Sequence, residues 1–135
     1  VKDATAALFK AVRAAILADS TLAGMLGTRV YSTWGNQEAN HPLVRMAIPT
    51  VRQYEHDGGE GAEHDLSLHV FTAEPAPIVG KQISNRIRDV LTGTLTLEDA
   101  HLVSLDYRDT IARTDDTYPS LQMVVLRFLA ITTDA

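Results

Sequence analysis

Residues 120–132 read SLQMVVLRFLAIT (Ser120–Thr132), and the interpretation of this stretch decides the fold. Taken with a period of two, Leu121, Met123, Val125, Leu129 and Ile131 fall on one side, interrupted only by Arg127. Val124, Leu126, Phe128 and Ala130 fall on the other. A strand that meets water on one face alternates apolar and polar, whereas one covered on both faces reads as a nearly continuous apolar run. A buried helix competes for so short a run. The β-branched and aromatic content and the preceding Tyr118-Pro119 break favour a strand. The stretch is therefore the central strand of a sheet, with one face on the chain's own helices and the other on a surface the chain need not supply alone.

Working outward, His101–Ala112 alternates with Val103, Leu105, Tyr107 and Ile111 on one side, and the polar turn Thr114–Pro119 returns it antiparallel to the central strand. Upstream, Val79, Ile83, Ile87, Val90 and Leu91 form a helical stripe. Glu74-Pro75-Ala76-Pro77 opens that helix and Thr92-Gly93 closes it, with Leu95–Asp99 as an irregular connection. His64–Thr72 places Leu66, Leu68 and Val70 on one face and Asp65, Ser67, His69 and Phe71 on the other. Leu43–Tyr54 is its partner strand, bent at Pro49, and the glycine-rich Glu55–Glu63 is expected to be a long mobile hairpin tip.

At the start of the chain, Asp3–Ala18 is an amphipathic helix with Ala4, Leu8, Ala11, Val12, Ala15 and Ile16 on its apolar stripe. Asp3 suits its N-cap or first turn. Thr21–Leu26 is a short helical turn stopped by Gly27; Arg29–Thr33 is a short strand; Trp34–Asn40 is a loop before His41-Pro42. The order α-β-β-β-α-β-β predicts one α+β domain over residues 1–135. Its mostly antiparallel sheet has about 4–5 strands, with two main helices packed on one face. The second face is left uncovered although it is apolar, which marks a partner surface.

Composition narrows the function. The chain of 135 residues has no cysteine, which removes disulfides, thiolate catalysis and thiolate metal sites. No apolar run reaches the roughly 18–20 residues of a membrane span, so no membrane partner is expected. A net charge of −5 argues against a surface that grips nucleic acid. Only Lys2, Lys10 and Lys81 among the 12 basic residues are lysines, a bias that suits interfaces and equally suits GC-rich codon usage.

The candidate chemistry is thin. His56, His64 and His69 lie among Asp57, Glu63 and Asp65, but on a strand His64 and His69 point to opposite faces, and their plain reading is solvated histidines. There is no HExxH or calcium-loop spacing, no G-x-S-x-G elbow, and the Gly58-Gly59-Glu60-Gly61 loop has acidic neighbours that repel phosphate. No catalytic, cofactor or metal residue is assigned, and no enzymatic activity is expected. The acidic tip (Glu55, Asp57, Glu60, Glu63 and Asp65) is either a solvated loop or, with several copies around a channel, a negative lining that DNA passes without sticking. Trp34 is either an interface anchor or half-buried core.

The order of elements, together with two local patterns, resembles a family. Leu22-Ala23-Gly24-Met25-Leu26-Gly27-Thr28-Arg29-Val30-Tyr31 fits an L-x-x-L-x-G-x-R-V-Y segment after an N-terminal helix, followed by the proline-led Pro42-Leu43-Val44. Ile83, Ile87 and Leu91 supply a helical stripe, and Arg113 through Phe128 supplies a polar turn followed by an apolar strand. In these features the sequence resembles the tail-completion or tail-terminator proteins of long-tailed phages and phage-like gene-transfer particles.

The resemblance implies a structural virion protein without a cofactor, assembled in the host cytoplasm and placed at the head-proximal end of the tail. Such proteins form a hexameric ring that caps the tail tube, stops its polymerisation and meets the head-side connector or stopper, while DNA passes transiently through the lumen. The expected partners are then other copies of the chain, the tail tube protein and the connector. A closed ring needs heterologous contacts. The candidates for these, or for other partner contacts, are Trp34, Arg45 on the Leu43–Tyr54 strand, and Met123, Val125, Arg127 and Leu129 on the second face of the central strand. The acidic tip or the Trp34 loop would face tube or lumen. Two other readings stay open on the residues alone: another neck component such as a stopper or adaptor, and a dimeric ligand-binding or enzymatic α+β domain.

Overall fold

The apolar run after residue 120 forms the strand that the long strands flank. The computed structural model describes residues 3–32, 40–56, 59–73, 78–93, 95–114 and 121–134. Among them are three helices, α1 (Thr5–Ala18), α2 (Ser20–Leu26) and α3 (Ile78–Leu91). The strands are β1 (Val30–Tyr31), β2 (Leu43–Ala47), β3 (Val51–His56), β4 (Gly59–Thr72), β5 (Ala100–Thr114) and β6 (Gln122–Asp134). The sheet runs β1-β2-β4-β6-β5, with β3 also paired to β4. β6 lies between β4 and β5 and is antiparallel to both.

The α+β class agrees with the sequence, and the strand count does not. The sheet has six strands and is mixed, because β1 runs parallel to β2. The expected strand Leu43–Tyr54 is two strands, interrupted around Pro49, which has no backbone N–H to donate to a ladder. Both pieces lie along the same edge of β4, β2 against Ser67–Phe71 and β3 against Gly59–His64. The tip expected to be mobile is instead ladder almost to its end: Arg52 faces Glu63, Glu55 faces Glu60, and His56 faces Gly59. Cross-strand pairing thus overrides a run of glycines with low strand propensity.

Helical periodicity translates directly into burial. Leu8, Val12 and Ile16 of α1, Leu22 and Leu26 of α2, and Ile83, Ile87 and Leu91 of α3 are buried together. They pack on Val44 and Met46 of β2, Leu66, Leu68 and Val70 of β4, and Val124, Leu126, Phe128 and Ala130 of β6. Each such side chain contributes about 1.5–3 kcal/mol by leaving water. Asp3 is not the N-cap of α1. Ala4 holds that position, while Asp3 Oδ1 accepts hydrogen bonds from the Thr5 amide (2.9 Å) and the Thr5 hydroxyl. Asp19 caps α2 by accepting from the Leu22 amide at 3.1 Å, and Arg86 of α3 donates to the same carboxylate from Nε at 3.0 Å.

Two bulges shape β5. Leu102 pairs with Thr132 but Ser104 with Ile131, and Tyr107 pairs with Phe128 but Asp109 with Arg127, so Val103 and Arg108 are the extra residues. Each bulge shifts the alternation by one residue. Leu105 and Tyr107 therefore pack on the core with Phe128, while Val103 and Ile111, expected beside them, are 59% and 44% exposed.

A candidate assembly surface

The face of the sheet turned away from the helices carries two bands. The first is apolar. Leu43, Phe71, Leu121, Met123 and Val125 form a second buried cluster, separate from the main core. The expectation that this face stands uncovered is thereby corrected: Met123 and Val125 are only 6% and 7% exposed. Leu129, further along β6, is half-buried.

The second band is charged and crosses four strands. Arg52 on β3 donates to Asp65 at 2.7 and 3.1 Å and to Glu63 at 3.1 Å, both on β4. Arg127 on β6 grips Asp109 on β5 with two donors, Nε at 2.6 Å from Oδ1 and Nη2 on Oδ2. Hydrogen bonds from Arg52 hold the Asp65 carboxyl below the usual carboxylate range, aided by the charges of Arg108 and Arg127. Arg127 does the same for Asp109. Between the pairs lies a depression of about 410 Å³ lined by Pro49, Asp65, Ser67, Arg108, Asp109 and Arg127. Exposed pairs of this kind add little to stability.

Between the bands, His69 lies against Ser67 (Nε2 to Oγ, 3.0 Å) and stacks on Phe71 with ring centroids 6.5 Å apart. Burial pushes its pKa down to about 4, and the charge of Arg113 adds to the effect. Arg45 is buried on the same face with its guanidinium 4.4 Å from the centroid of the Tyr31 ring, a cation–π contact.

The structure gathers the sequence-selected residues unevenly. Asp65 and Arg127 meet at the depression. Glu63 is half-buried beside Asp65, and Glu55 and Glu60 are exposed and face one another across the hairpin. Trp34 and Asp57 lie outside the described residues. Arg52, Arg108 and Asp109 were missed. No motif flags them, and only the strand register brings them beside Asp65 and Arg127. His64, expected in solvent, is fully buried against α1, its Nε2 accepting from the Ala4 amide at 3.2 Å. Among the described residues no three His, Asp or Glu side chains converge as metal ligands, and no helix is long and apolar enough to cross a membrane.

Comparison with known proteins gives this surface a context. One similar solved chain comes from the virion of a native gene transfer agent particle. It is 26% identical, with 98% of each chain covered and a TM-score of 0.84. Another, the gp17 protein of bacteriophage SPP1, is 19% identical over 98% of this chain and 93% of that one, with a TM-score of 0.61; it supports the fold alone. No curated protein matches in sequence. The match that decides the family is to tail completion protein gp17, over residues 10–133. The chain belongs to the tail completion protein family.

Proposed function

We propose that this chain is a tail terminator: six copies form a ring that caps the tail tube, halts its polymerisation and joins the tail to the head-side connector, with DNA passing through the lumen. The family is a structural one, so the chain is a component of a phage-like particle and associates with other particle proteins; it is not an enzyme. The observation that carries the finer reading is the near-complete correspondence with a chain of a gene transfer agent virion, 98% of each chain at a TM-score of 0.84. The charged band supports it, because paired arginines and carboxylates on a sheet face suit a polar contact with another protein.

In this reading Arg127 and Leu129 belong to a contact with a neighbouring copy or the tube, together with Trp34. Arg45, Met123 and Val125 stiffen that face from beneath. Glu55, Asp57, Glu60, Glu63 and Asp65 lie toward the tube or lumen, where negative charge lets DNA slide. The test is solution mass by light scattering, alone and with the cognate tail tube protein, with negative-stain imaging of the product. The expected result is a ring of about six copies, free or seated on tubes of fixed length. A monomer or dimer indifferent to the tube protein overturns the reading.

A further inference from the structure

β5 ends the sheet. Its fifteen residues pair with β6 and with no other strand, and no other backbone-to-backbone hydrogen bond among the described residues reaches it. The β1 edge, by contrast, is closed: the Val30 amide donates to the Thr28 carbonyl, and the Val30 carbonyl accepts from Arg13 Nε at 2.9 Å. The last residues of β5 stand clear on both faces. Ile111, Ala112, Arg113 and Thr114 are all exposed, although Ala112 is paired with core-facing Val124. The helices therefore do not overhang this edge, and an open strand edge is a template for another strand.

Three side chains decide what fits it. Asp109, Ile111 and Arg113 pair with Arg127, Val125 and Met123 of β6, so all three lie on the face away from the helices. In chain order they read acid, apolar, base. An antiparallel copy of the same stretch reads base, apolar, acid. With a two-fold axis at Ile111, each Asp109 faces an Arg113, Thr110 meets Ala112, and the two isoleucines, each 44% exposed, cover one another. Asp109 already accepts from Arg127 with both oxygens, and each oxygen keeps a lone pair for a second donor. Other registers fail. An axis at Asp109 opposes two carboxylates, one at Arg113 opposes two guanidiniums, and one at Thr110 or Ala112 sets Ile111 against a charge. An axis between residues would set opposite faces against each other. The bulge at Arg108 ends the regular ladder on the other side of this stretch.

We infer that a second copy of the chain pairs antiparallel along residues 109–113 of β5, about a two-fold axis at Ile111. The occupant is a second copy because the stretch is complementary to itself in charge, in apolar contact and in face. The pairing shields an edge that would otherwise recruit strands without limit. A two-fold contact is complete with two copies, so it does not build the ring and does not rest on that reading.

The chain has no cysteine, so Ile111→Cys carries a single thiol. At the axis the two Cβ atoms lie roughly 4.5–5.5 Å apart, close enough for a disulfide after a small adjustment. Light scattering on the free chain should give the mass of a dimer. Oxidised Ile111→Cys should run as a covalent dimer and nothing larger, while Val103→Cys, exposed on the same strand outside the paired stretch, stays monomeric on the gel. Arg113→Asp makes both cross-strand charge pairs like-charged and should weaken the dimer about tenfold or more. A monomer at every concentration overturns the contact. So does any larger species in which Ile111→Cys links no better than Val103→Cys, and so does an Arg113→Asp dimer of parental affinity. Should a variant fail to fold, hydrogen exchange on the unmodified chain reads the same edge. Amides within residues 109–113 that point away from β6 should gain protection as concentration rises, and unchanged exchange overturns the contact.

Discussion

A Cβ placed on Gly61 would lie 2.6 Å from the carbonyl oxygen of Thr132. Ala62 pairs with Thr132, so the β3–β4 hairpin leaves the sheet just where it passes the end of β6. Both sides of the contact are backbone, and neither can rotate away. Gly61→Ala should therefore destabilise the chain by about 1–3 kcal/mol through forced backbone displacement, read as a lower urea midpoint at unchanged slope. An unchanged midpoint would mean that the hairpin swings clear at no cost.

Gly24 should behave in the opposite way. It sits inside α2, and a Cβ there meets nothing within 4 Å. Gly24→Ala should stabilise by about 0.5–1 kcal/mol by reducing the freedom of the unfolded chain. A higher thermal midpoint checks this; a lower one would show that the space beside α2 is occupied in the working protein.

His69 makes stability depend on mild acid. Its folded pKa is about 4, depressed by burial with help from Arg113, against about 6.5 when unfolded. Between those values the unfolded chain binds a proton that the folded chain refuses, so stability is full above about pH 6.5 and falls as pH drops toward 4. The upper bound of the loss is about 3 kcal/mol, and solvent access to a half-buried ring brings the figure below it. Denaturation midpoints from pH 7 to 4 should decline in the parent and flatten in His69→Gln. A His69→Gln profile parallel to the parent would assign the decline to other groups.

What was legible in the sequence is what obeys a fixed period over a long enough run. The stripe Leu8, Val12 and Ile16, the stripe Ile83, Ile87 and Leu91, and the helix-facing side of β6 (Val124, Leu126, Phe128 and Ala130) all became core as expected, because nothing interrupts their spacing. Ile111 was misplaced because the bulge at Arg108 slips the alternation by one residue after Tyr107, and no residue type announces a bulge. The break around Pro49 was expected as a bend, yet its consequence, two strands sharing one edge of β4, depends on the partner strand. The charged band was half legible: Asp65 and Arg127 stand out as charges on apolar strands, while Arg52 and Asp109 acquire meaning only once the register puts them alongside. His64 shows the same limit, since a polar letter in a strand pattern does not say whether a helix end will cover it.

The acidic hairpin separates stability from function. Glu55 and Glu60 face each other directly and both are exposed. Like charges so placed oppose strand pairing, so Glu60→Lys should stabilise the hairpin by roughly 0.2–1 kcal/mol at low salt and by less at high salt. If the hairpin lies along the DNA path, the same exchange in a Glu55→Lys, Glu60→Lys variant puts two positive charges where phosphates pass. Particles should then assemble with normal tail length yet deliver DNA poorly, measured as transfer per particle counted in the microscope. Undiminished delivery by the double variant would place the hairpin away from the DNA path.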